Sequence, residues 1–150
     1  MNQNRTIHYV TKLLVDIMFF GGIAACVILP FIMPWLLSFV GVSPEMRLHY
    51  TVILFSSGIC AVFIVFQLKR MFKTLVGGNP FVLQNVSCLR QCAVASAVIA
   101  LIYLIRLFMW FTIAAAIIVV IFAMLSLFSL TLKDIFKQAV AYKEETDWTV

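Results

Sequence analysis

Three groups of side chains in this sequence have types and spacings suited to chemistry: the pair Cys88 and Cys92, the aspartate Asp16 inside an apolar stretch, and the basic cluster Lys69, Arg70 and Lys73. Cysteines four apart share one face of a helix, and thiolates bind soft metals. A metal needs a third and fourth ligand, and the two histidines are badly placed: His8 precedes the first apolar run and His49 follows it. Cys88 and Cys92 are therefore expected to be small packing residues, and no metal site is expected. No HExxH, GxSxG, Walker-type loop or paired carboxylate occurs, and Gly77-Gly78 reads as a helix cap rather than a phosphate cradle. Neither a catalytic site nor a cofactor is expected.

Asp16 is the one acidic residue within an apolar run, where an ionisable group requires a partner or water. It lies one helical turn from Lys12, so the structural reading is snorkelling or an ion pair with a base such as Lys12 or Arg90. The functional alternative is a small transporter or channel-like oligomer that uses Asp16 and a kink at Pro30 and Pro34 to shape a path. A carrier more usually places its acid near the bilayer middle among polar companions on other spans, and none is visible. The Lys69, Arg70, Lys73 cluster would attract anionic lipid, but beside an apolar run such a cluster is first a topology determinant.

The elements that position these residues follow from composition. Of 150 residues 64% are hydrophobic and 11% charged, and a soluble core of this size cannot hide that much apolar surface. The apolar runs place membrane spans at about 13–37, 50–68, 86–106 and 111–132. Pro30 and Pro34 should kink or end the first helix, and Ser38 to His49 should connect it to the second. From Cys92 to Leu132 the one charged residue is Arg106, and a single helix there would be about 60 Å long, twice the hydrocarbon thickness. The chain must fold back, and Arg106 with Trp110 marks the turn as an interfacial pair.

These spans put Arg5, Lys12, Lys69, Arg70, Lys73, Arg90, Lys133, Lys137 and Lys143 on one side of the membrane and Arg47 and Arg106 on the other. The positive-inside rule makes the crowded side cytoplasmic. The expected fold is all-α: one integral membrane domain, a four-helix bundle with both termini in the cytoplasm and a multi-pass location in a bacterial inner membrane. The lipid bilayer is its first partner. Basic charge in these positions does not imply direct nucleic-acid binding, and homo-oligomers remain open.

Gly77-Gly78-Asn79-Pro80 combines a helix stop with a helix start, so the third helix is expected to begin at about Pro80, outside the lipid. Phe81, Asn85, Cys88 and Cys92 then share one face. After Leu132 the fourth helix should continue with one apolar face, Ile135, Phe136, Ala139 and Val140, before the polar tail from Lys143 to Val150. Phe81 is expected to pack against this extension. The loop and tail residues Asn79, Pro80, Phe81, Asn85, Arg90, Glu144, Glu145, Asp147 and Thr149 form the candidate partner-binding set.

Asn79-Pro80-Phe81, Asn85, Leu89-Arg90 and the C-terminal Lys143-Glu144-Glu145 followed by Asp147, Thr149 and Val150 resemble the bacterial membrane-protein family catalogued as domain-of-unknown-function family 2975. Trp148 departs from the leucine usual in the ending of that family. The resemblance implies four membrane helices, no assigned activity, and frequent encoding beside a small helix-turn-helix transcriptional regulator. A non-enzymatic interaction protein that docks such a regulator is the leading expectation.

Overall fold

The computed structural model describes residues 2–148, and side chains over 9–146. Four helices follow one another: α1 (Asn2–Phe39), α2 (Pro44–Val76), α3 (Leu83–Met109) and α4 (Ile113–Trp148). All four are long and apolar enough to cross a membrane. Phe31, Phe39, Phe108 and Phe111 are at least 78% exposed, an arrangement that water would penalise and lipid does not.

The helices pack in serial order, α1 on α2, α2 on α3 and α3 on α4, with no closer approach between non-consecutive helices among the described residues. The third helix is the central one: 39% of its 18-residue apolar stretch is buried, against 6% of that of α1. A core of Ile99, Tyr103 and Ala115 draws in Ile53, Cys60 and Ile64 of α2 and Ile118, Val119 and Phe122 of α4. The α2 contributions are seven and four residues apart, which puts them on one face of that helix. At the α1–α2 contact two glycines admit close approach. A Cβ on Gly58 would sit 2.9 Å from the Cys26 sulfur, and one on Gly22 3.2 Å from Val62.

Of the two outcomes expected at Pro30 and Pro34, a kink or an end, the helix does not end there: it runs through both to Phe39. Two expected helix starts are corrected. The second starts at Pro44, six residues before the expected Tyr50, because Ser43-Pro44-Glu45 supplies an N-cap position, a proline at the first helical position and an acid in the first turn. The third starts at Leu83 and not at Pro80, since Val82 is extended, with φ −132° and ψ 147°.

Two of the three connections use one device. Gly41 and Gly78 have φ of +79° and +80°, a left-handed conformation that glycine adopts without strain. Around Gly78 the Asn79 N–H donates to the Thr74 carbonyl at 3.3 Å and the Gly78 N–H to Leu75 at 3.2 Å, which is a Schellman cap. Around Gly41, Val42 and Gly41 donate likewise to Leu37 and Ser38. The third turn, at Trp110–Thr112, contains no glycine. It falls where Arg106 and Trp110 were expected to mark it, with Arg106 over the Tyr50 ring at 4.8 Å and His49 against Trp110 at 6.3 Å between centroids.

Candidate functional site

At the end of the molecule that carries Gly78, the 77–82 loop and the last turns of α4 meet. Phe81 and Phe136 stack with centroids 5.6 Å apart, and the Lys143 Nζ donates to Asn79 Oδ1 at 3.3 Å. Val140, on the same α4 face, is buried. The loop is held in shape from beneath by Asn85. Its Nδ2 donates to the Pro80 carbonyl at 2.6 Å, and its Oδ1 accepts from Thr74 Oγ1 at 2.8 Å. At 1% exposure Asn85 is unavailable to a partner, so it joins α2, the loop and α3 as a positioning residue.

Below this clamp the α2–α3–α4 seam is lined with small and polar groups. Gln67 Nε2 donates to Gln91 Oε1, the Cys92 thiol faces the Ile64 carbonyl at 4.0 Å, and Ser126 donates to the Ala93 carbonyl at 2.9 Å. Interhelical hydrogen bonds of this kind contribute about 0.6 kcal/mol each in lipid, with a ceiling near 2. Cys88 and Cys92 are buried in the seam, which accounts for their size. No group of three potential metal ligands occurs among the described residues.

The structure brings Asn79, Phe81 and the α4 extension together and leaves other candidates apart. Arg90 lines a separate cavity with Phe63, Ser87, Gln91 and Val94. Glu144 and Glu145 are exposed on the last turns of α4. The side chain of Asp147, and Thr149 and Val150 altogether, lie outside the described residues. Asp16 pairs with neither Lys12 nor Arg90: Lys69 Nζ lies 2.8 Å from its Oδ1. The contact is ionic rather than a well-aligned hydrogen bond, since Oδ1 accepts none. The same Lys69 Nζ lies over the rings of Phe19 and Phe20, 5.0 and 5.2 Å from their centroids. An i, i+4 rule cannot foresee a partner on another helix.

Four long apolar helices with small, hydrogen-bonded interhelical contacts define a multi-pass α-helical membrane protein. A family model described as Protein of unknown function (DUF2975) matches residues 35–150, and the chain belongs to that family. The match takes in α2, α3, α4 and the loop, and omits most of α1. No curated protein and no solved structure matches the chain.

Proposed function

We propose that this protein is a non-enzymatic bacterial inner-membrane protein, with both termini in the cytoplasm, whose composite loop–tail face docks a soluble helix-turn-helix regulator. The observation that carries the reading is the Phe81–Phe136 contact with its Lys143–Asn79 neighbour, which makes one surface of two distant segments. At about 1.5 Å per residue α4 is about 54 Å long, so a hydrocarbon core of about 30 Å leaves its last turns in water. Asn79, Phe81, Glu144 and Glu145 are all exposed there. A regulator whose positive, nucleic-acid-binding surface meets Glu144 and Glu145 would be held away from its operator.

The transport alternative rests on Asp16, and its ion pair with Lys69 weighs toward a structural role. The test is purification of the full chain from its native cell in mild detergent, with and without Phe81→Ala. Wild type is expected to retain the regulator. The variant is expected to insert equally, to release the regulator, and to have its tail beyond Leu132 cut faster by protease in inside-out vesicles. Equal retention and equal cutting would overturn the composite face. Ion flux in proteoliposomes that is lost in Asp16→Asn would replace the docking reading with the transport one.

A further inference from the structure

A second feature at the same end of the molecule is independent of the loop and tail. Between α1 and α2 lies a cavity of about 430 Å³ lined by Lys12, Val15 and Asp16 from α1 and by Phe66, Lys69, Arg70, Phe72 and Lys73 from α2. Four bases thus face one carboxylate, and that carboxylate is taken by Lys69. Lys12, Arg70 and Lys73 have no acidic partner within ion-pairing distance among the described residues. Three cations without an acidic partner among the described residues share one concavity, a charge balance that favours an anion there.

The walls decide what kind of anion. Val15 is buried and two phenylalanines complete an apolar side. The chain changes from basic to apolar at this level on both helices: Lys12 is followed by the apolar run from Leu13, and the run ending at Leu68 is followed by Lys69. The cavity therefore straddles a membrane–water boundary: Val15 and Phe66 lie on the apolar side of it, and Lys12, Arg70 and Lys73 lie on the basic side. A small hydrophilic anion would satisfy half of it and an apolar molecule the other half.

We propose that the α1–α2 cavity binds an anionic amphiphile, its phosphate group held by Lys12, Arg70 and Lys73 and its apolar part laid against Val15 and Phe66. Asp16 fixes Lys69 across the cavity and keeps the two helices at the spacing the headgroup requires. Arginine supplies the planar fork that matches phosphate oxygens in pairs, while the two lysines act as point charges.

The test uses the full chain in neutral detergent, with thermal unfolding read during titration with phosphatidylglycerol, phosphatidylcholine, glycerol phosphate or inorganic phosphate. Phosphatidylglycerol is expected to raise the midpoint in a saturable manner, and phosphatidylcholine is not. Arg70→Gln/Lys73→Gln should weaken the apparent affinity roughly thirtyfold, from the loss of two cations near a membrane surface. Phe66→Ala should weaken phosphatidylglycerol binding while leaving glycerol phosphate unchanged, which separates the lipid source from a soluble one. Lys133→Gln/Lys137→Gln, which alters bases of α4 outside the cavity, serves as the control for diffuse attraction, and far-UV circular dichroism checks that each variant folds. An equal loss in that control would overturn the site. Protection by inorganic phosphate with no added effect of lipid would overturn the amphiphile, and an unchanged response of Arg70→Gln/Lys73→Gln would overturn both.

Discussion

Asn85 shows how much one side chain decides in a protein with few polar groups. Itself buried, it bonds the half-buried Pro80 carbonyl and the Thr74 hydroxyl at once. Asn85→Ala leaves the Pro80 carbonyl without that donor, while the Thr74 hydroxyl keeps the Met71 carbonyl at 2.7 Å, and one unsatisfied group costs on the order of 1–3 kcal/mol when buried. The variant is therefore expected to lose about 1 kcal/mol or more of stability in detergent and to free the 77–82 loop for proteolysis. Asn85→Asp keeps the acceptor for Thr74 but not the donor to Pro80, so it is expected to fall short of rescue. Wild-type melting and loop cleavage in Asn85→Ala would show that the clamp holds nothing.

Helices in lipid gain nothing by hiding apolar surface from a solvent that is itself apolar, so their association depends on close fit and on hydrogen bonds. The α1–α2 contact is of the first kind, with Gly58 over Cys26 and Gly22 over Val62. Gly58→Ala should push the Cys26 sulfur aside and destabilise the pair by about 1–3 kcal/mol, the usual cost of overpacking. Removing that sulfur with Cys26→Ala should restore most of the loss. Gly21→Ala meets nothing within 4 Å and replaces a poor helix former, so it is expected to be neutral or to stabilise by up to about 1 kcal/mol. Thermal unfolding of the four proteins checks the series, and a loss in Gly21→Ala equal to that in Gly58→Ala would mean that helix propensity, not packing, governs the contact. The contact of α3 with α2 is of the second kind, with Asn85, Gln91 and Cys92 facing Thr74, Gln67 and the Ile64 carbonyl.

For the whole molecule the proposed orientation rests on the charge distribution. The end with the Gly78 cap also bears Lys12, Lys69, Arg70, Lys73, Arg90, Lys133, Lys137 and Lys143, whereas the other end bears Arg47 and Arg106. By the positive-inside rule this charge bias supports the proposed orientation, with the loop–tail face in the cytoplasm where a regulator would meet it. Single cysteines at Gly78, Thr146 and Ser43, in a chain whose four native cysteines are replaced, are expected to label from the cytoplasmic side at the first two and from outside at the third. Labelling of Gly78 and Thr146 from opposite sides would require an odd number of crossings and overturn the arrangement.

Four helices, their order and the fold-back near Trp110 were legible in the sequence, because lipid imposes one rule on every span: about 20 apolar residues closed by charge or by a turn. The glycine cap at Gly78 was legible for an equally local reason, and so was the packing of Phe81 toward the α4 extension, since two adjacent apolar stubs need cover from water. The start of α3 was misplaced by three residues because Asn79-Pro80 reads as a helix start, while the Asn85 side chain takes the Pro80 carbonyl and holds Pro80–Val82 outside the helix. Which residue would neutralise Asp16 was not legible at all. The sequence offers Lys12 one turn away, but the packing of α1 on α2 brings Lys69 to 2.8 Å across the helix pair and leaves Lys12 on the cavity wall. Composition and periodicity thus determined which segments enter the membrane, because burial in lipid is a property of each segment alone. The partners of Asp16, Asn85 and Gln67 were decided by tertiary structure, because a polar group in an apolar medium takes the nearest satisfying atom in space, and distance in space is set by the packing of whole helices.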